Sequence, residues 1–229
     1  MSYKDIMVKT FNLSLVFHRF IAKKFNWEIS VYPKERTFEG LEDNEPRLAT
    51  LELASREIYK YKVEGATAEL GVYKGNFAKR INHFFPDRKL YLFDTFEGFD
   101  NRDADFDRAK NFSKSQQDFS DTSVNIVMGK MEHPENCIVK KGWFPETTEG
   151  IDEKDKFCFV SLDADLYQPI LSGLKFFYPK LSVGGVIMIH DFNARKYQGA
   201  REAVKEFCTE NKIGYVCISD ECGSAVIAK

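Results

Sequence analysis

From Ala66 onward, short apolar runs alternate with segments of helical periodicity, and this alternation confines the chain to few folds. Parallel strands need long crossovers between them, and a helix is the usual crossover, so the pattern predicts helices packed on a mostly parallel sheet. Strands are expected at 66–70, 89–94, 137–141, 157–163, 186–190, 215–219 and 224–228, with helices at 75–84, 122–131, 168–180 and 198–211. Asp121 or Thr122 is the expected cap of the second helix. LYLFD (90–94) and FCFVSLD (157–163) are apolar almost throughout, as strands covered on both faces should be, and each ends in an acidic residue. YVCIS and SAVIA, separated by residues 220–223, read as a closing antiparallel hairpin. The fold class expected is α/β, with a seven-stranded Rossmann-like sheet carrying helices on both faces.

Before this region, Leu13, Val16, Phe17, Phe20, Ile21 and Phe25 recur at helical spacing on one stripe, opposite Arg19, Lys23 and Lys24. We expect an N-terminal amphipathic helix that packs on the body or on a second subunit, giving a homo-oligomer. Residues 33–46 read as a linker and Arg47 to Tyr61 as a helix. The domain division expected is 1–46 for the extension and 47–229 for the α/β domain. The polar stretch 101–121 shows no clear periodicity and follows a strand-end carboxylate, so it is read either as a lid or as a solvated insertion.

Lys and Arg number 33 against 35 Asp and Glu, a net charge of −2, so general nucleic-acid binding lacks electrostatic support. Five cysteines without CxxC spacing read as reduced thiols, which places the chain in the cytoplasm. No apolar run reaches the roughly 20 residues of a membrane span, and Phe11 to Ile21 lacks a signal-peptide cleavage site.

In open α/β sheets ligands bind beyond the carboxyl ends of the strands. At one such end, AELGVYKG (68–75) carries Glu69, Gly71 and Gly75, and its glycines permit close approach of a ligand to the backbone. It is neither a dinucleotide fingerprint nor a P-loop. Asp94, which ends the next strand, is placed to accept hydrogen bonds from ribose hydroxyls, and together the two features favour an adenosine ligand. Asp163, Asp165 and Asp191 fall at the ends of two later strands, next to His190. Crowded carboxylates need a cation or a shared proton, and hard oxygen donors suit Mg²⁺ or Ca²⁺. DADFD (103–107) mimics a calcium loop but fails it, because Arg108 stands where the glycine belongs.

AELGVYKG, LFDTFEGF, KGWFPET, LDADLY and GGVIMIHDF, in this order and spacing, resemble the macrocin-type sugar O-methyltransferases, the TylF/MycF-like family. The resemblance spans residues 47 to 229. It implies a class I methyltransferase fold and a reaction using S-adenosylmethionine and Mg²⁺ or another divalent cation. It further implies that Glu69, Gly71 and Gly75 hold the methionine end of the cofactor, Asp94 the ribose, and that Gly142, Trp143 and Phe144 flank the adenine, with Tyr73 also among the cofactor-binding residues. Asp163 and Asp191 would bind the metal and Asp165 would be the general base. His190 departs from the family's usual pair of aspartates, leaving its imidazole open to ligating metal, to acting as base, or to neither. The acceptor implied is a hydroxylated small molecule, a sugar above all. The rival readings are a nicotinamide-dependent oxidoreductase and a non-catalytic binding domain.

Overall fold

The computed structural model describes residues 42 and 45–229. The expected N-terminal helix and most of the 33–46 linker lie outside the described residues. The first helix, α1 (Pro46–Lys60), starts where Glu45 accepts hydrogen bonds from the N–H groups of Arg47 and Leu48, with a proline in its first turn. There follow β1 (Ala66–Leu70), α2 (Ala78–Phe84), β2 (Leu90–Asp94), α3 (Asn101–Lys110), α4 (Val124–Met128) and β3 (Cys137–Lys141). The chain then forms β4 (Phe157–Leu162), α5 (Tyr167–Lys180), β5 (Leu181–Ile189), α6 (Gln198–Asn211), β6 (Val216–Cys217) and β7 (Ala225–Ala228).

The seven strands form one sheet in the order β3-β2-β1-β4-β5-β7-β6. The first five pair in parallel, and β7 runs antiparallel to both β5 and β6. The closing hairpin is therefore present, with β6 reduced to a two-residue edge. The order reverses between β1 and β4, the switch point at which open α/β sheets bind ligands.

Each face of the sheet carries its own core. On one, Phe93, Phe157 and Leu162 pack beneath Leu174 and Phe177 of α5 and Val204 and Phe207 of α6. On the other, Leu92, Phe159 and Met188 meet Leu51 and Ile58 of α1 and Ile81 of α2. Phe177 lies edge-on to Phe157, with ring centroids 5.0 Å apart, and burying a side chain of this size contributes about 1.5–3 kcal/mol. The adjacent Cys158 and Phe159 both join the second core, because the pairing register shifts between Phe157 and Phe159. This bulge restores alternation, so that Val160 and Leu162 face the first core.

Three differences from the sequence reading bear on the site. β5 begins five residues before the expected 186. Ser123, rather than Asp121 or Thr122, caps α4 by accepting a hydrogen bond from the N–H of Ile126 at 3.2 Å. The stretch 101–121 contains a helix, α3, capped by Asp100. Its inner face buries Asp103, Ala104 and Asp107, so carboxylates stand where an apolar stripe would have revealed it.

Candidate functional site

The loop leaving β1 is bent by left-handed backbone at Gly71 (φ 87°), Tyr73 (φ 49°) and Gly75 (φ 73°). A Cβ on Gly71 would lie 2.1 Å from the carbonyl oxygen of Asp163, so only glycine lets this loop cross the end of β4. Asp94 then organises the loop. Its Oδ2 accepts from the N–H groups of Val72 and Tyr73 at 2.7 and 2.8 Å, and its Oδ1 from that of Phe96 at 2.6 Å. Oδ1 keeps one of its two acceptor sites, so a ribose hydroxyl could still hydrogen-bond to Asp94.

Beside this loop opens a cavity of about 370 Å³, the size of a small-molecule site. Every residue assigned to a site from the sequence except Gly75 lines it. Gly75 faces Val127 of α4 instead, where a Cβ would meet a methyl carbon at 3.0 Å. Gly142, Trp143 and Phe144 form the wall beyond β3. Phe144 is also a core residue, edge-on to Phe93 at 5.5 Å. Trp143 donates its indole N–H to Asp103 at 2.9 Å and lies under the guanidinium of Arg102 at 3.8 Å. Burial pushes Asp103 up to about 6 despite that hydrogen bond.

The segment after α3 packs against the loop that leaves β1. Tyr73 donates its hydroxyl to Asp121 at 2.6 Å, Lys74 pairs with the same carboxylate, and Phe119 meets Tyr73 edge-on at 5.1 Å. Phe119 and Asp103 line the cavity, so the 101–121 stretch helps to enclose the site.

The acidic residues converge as expected, and the structure adds two cationic side chains among them. Arg47 reaches from the first turn of α1, stacks on Phe77 at 3.8 Å and donates to Asp163 at 2.9 Å. His190 Nδ1 lies 3.0 Å from Asp163 and 2.8 Å from Asp191. Burial opposes the imidazolium, but hydrogen bonds to both carboxylates outweigh it and push His190 up to about 10. Burial also opposes ionisation of Asp163, yet Arg47 and His190 hold it well below the usual carboxylate range. Asp165, which has no such partner, is driven well above its usual range by burial and by the charges of Asp191 and Asp163. Burial and Asp163 do the same to Glu69.

The donor chemistry does not fit the Mg²⁺ expected at Asp163 and Asp191. Both carboxylates are bonded to His190, and Asp163 is also bonded to Arg47. Among the described residues, the ligand atoms that come within 4.8 Å of one another belong to His190, Asp191 and Cys222. That set mixes nitrogen, oxygen and sulfur, whereas Mg²⁺ demands an octahedron of oxygens.

Arg47, Asp103 and Cys222 were not assigned to the site from the sequence. No motif marks Arg47, Asp103 falls within the failed calcium pattern, and Cys222 falls within the hairpin turn.

The family model of the macrocin O-methyltransferases (TylF) matches residues 43–220. A curated relative from Streptomyces olivaceus is 23% identical over 172 residues, covering 70% of this chain. It is 8-demethyl-8-(2,3-dimethoxy-alpha-L-rhamnosyl)-tetracenomycin-C 4'-O-methyltransferase, and the chain spans 64% of its length. The O-methyltransferase NovP has the same fold, with a TM-score of 0.69 at 20% identity over 80% of this chain and 79% of NovP. The calicheamicin methyltransferase CalS11 gives 0.64 at 18% identity over 80% of this chain and 78% of its own. The sheet is thus that of the class I O-methyltransferases, and with the family model covering most of its length, the chain belongs to the macrocin O-methyltransferase (TylF) family.

Proposed function

We propose that this protein transfers a methyl group from S-adenosylmethionine to a hydroxyl of a small-molecule acceptor, a sugar unit above all. The observation that carries the reading is one cleft in which a loop organised by Asp94 lies beside the cluster of Asp163, Asp165 and Asp191. Family membership and the rhamnose-bearing compound in the relative's name support the chemistry and the acceptor class. In this reading Asp94 holds the ribose, Glu69, Gly71 and Tyr73 receive the methionine end, and Gly142, Trp143 and Phe144 bound the adenine. Gly75 contributes by shaping the loop. The catalytic domain is 47–229 and the extension 1–46. Five free cysteines fit a cytoplasmic setting, and the apolar stripe of the extension fits association into an oligomer.

S-adenosylmethionine, when bound, supplies an electrophilic methyl group on a positively charged sulfur. The protein must align an acceptor oxygen with that carbon and remove the hydroxyl proton. Asp165 is suited to remove it, because a carboxylate raised by burial and like charge is a stronger base. A positive charge in the cleft favours the ionised form that removes the proton. His190 is already charged and takes no proton. It holds Asp163 and Asp191 in place, and Arg47 completes the neutralisation of Asp163.

The test is transfer of isotopically labelled methyl from S-adenosylmethionine to a panel of free and nucleotide-linked sugars, with calorimetry of S-adenosylhomocysteine and NAD. Labelled sugar and binding of S-adenosylhomocysteine are expected. Asp94→Ala should weaken that binding by about tenfold or more, given that it removes hydrogen bonds to a charged acceptor. Binding of NAD alone would favour the oxidoreductase reading, and binding of neither compound would favour a non-catalytic domain.

A further inference from the structure

Consecutive side chains of a strand point to opposite faces, yet His190 and Asp191 both line the cavity. The chain leaves β5 at Ile189 and turns through left-handed backbone at Asp191 (φ 56°), which swings the second side chain round beside the first. The turn between β6 and β7 meets them there. Asn193 donates its N–H to the carbonyl of Cys222 at 3.0 Å and its side-chain amide to that of Gly223 at 3.1 Å, and the Cys222 thiol hydrogen-bonds to Asp191. A ring nitrogen of His190, a carboxylate oxygen of Asp191 and Sγ of Cys222 thus lie within 4.8 Å of one another. Asp163 stands outside this set and keeps Arg47 at 2.9 Å. One nitrogen, one oxygen and one sulfur donor leave a fourth tetrahedral position open, an arrangement that Zn²⁺ accepts and Mg²⁺ does not. A thiolate among the donors selects the softer divalent cations.

We propose that His190, Asp191 and Cys222 form an inhibitory site for a borderline-soft divalent cation, Zn²⁺ above all. It differs from the centre that the resemblance implies in its donors, in its cation and in its effect. Binding releases one proton from the ring and one from the thiol, and bonds to the ion replace hydrogen bonds that His190 makes to Asp163 and Asp191. The ion then stands on the cavity wall beside Asp165, whose carboxyl hydrogen-bonds to Asp191, and bars an acceptor hydroxyl from that carboxyl. The inhibition rests on the methyltransferase reading, whereas the binding does not.

Cobalt absorbance tests the site, and zinc inhibition tests its effect. Titrated into metal-free protein, Co²⁺ should give a near-ultraviolet charge-transfer band from a cysteine thiolate, which Zn²⁺ displaces and a large excess of Mg²⁺ does not. Cys222→Ser should lose the band, while Cys217→Ser, on the exposed β6, should keep it. His190→Asn should weaken Co²⁺ binding at least about tenfold, the loss that even an outer partner of a metal can cause. In the methyl-transfer assay Zn²⁺ should inhibit the wild-type protein, with relief by chelator. Cys222→Ser, measured against its own metal-free rate, should need at least about tenfold more Zn²⁺ for the same inhibition. A wild-type protein without the band overturns the proposal, a result that needs no variant to fold. So does a band that survives in Cys222→Ser or yields to Mg²⁺, and so does Zn²⁺ that leaves the wild-type rate unchanged or inhibits both proteins alike. A metal-free wild-type protein that methylates no acceptor would instead overturn the methyltransferase reading, and the cobalt band would still decide the cation site.

Discussion

At His190 the imidazole hydrogen-bonds to two carboxylates, which makes its charge a property of the folded state. Its ordinary value of 6.5 becomes about 10 in the fold. A raised folded value means that stability from this group is fully present below about pH 6.5 and is lost as the pH rises towards 10. The melting temperature of the wild-type protein should therefore fall across that window, and that of His190→Asn should fall less steeply. Equal slopes for the two proteins would show that His190 is not held charged. The sequence places His190 beside Asp191 but leaves its role open, because protonation depends on Asp163, which lies on another strand. Arg47 carries no local mark at all. Its partner Asp163 is 116 residues away, and no local pattern distinguishes an arginine that turns inward from one that faces water.

The loop after β1 shows what an element can reveal in advance. Gly71 was legible as a functional glycine because a strand that ends in a turn beside a carboxylate asks for close approach, and the structure supplies the approaching atom, the carbonyl of Asp163. Gly71→Ala should cost more than about 2 kcal/mol of stability, since the new methyl meets backbone and the residue has positive φ. Gly214→Ala, with no atom within 4 Å of the added Cβ, should change stability little. Thermal melts of the two variants check the contrast, and similar losses in both would contradict the packing described. Helix α3 was not legible. Its buried face carries Asp103 and Asp107, which burial pushes up to about 6, and hydrophobic periodicity is blind to carboxylates that serve as interior residues. Asp103 is retained there by the indole N–H of Trp143, and Asp107 by the backbone N–H of Tyr167 at 3.0 Å.

In the whole molecule, parallel pairing of β1, β2, β4 and β5 brings four strand ends to one edge, and with them Glu69, Asp94, Asp163 and the His190–Asp191 pair. So much negative charge in one cleft calls for compensation, and here Arg47 and His190 provide it. Dialysis against a chelator should leave methyl transfer within about twofold of its starting rate, since chelators disable proteins whose metal is part of the working site. Loss of activity restored by Mg²⁺ would return the cluster to the metal-binding role that the resemblance implied. The sequence by itself determined the sheet, the strand-end carboxylates and the family, because strand periodicity, glycine turns and motif order are local properties of the chain. Only the tertiary structure decided which cations answer those carboxylates and which of them burial pushes above their usual range. Charge pairing and burial depend on distances through space, between residues the sequence holds far apart.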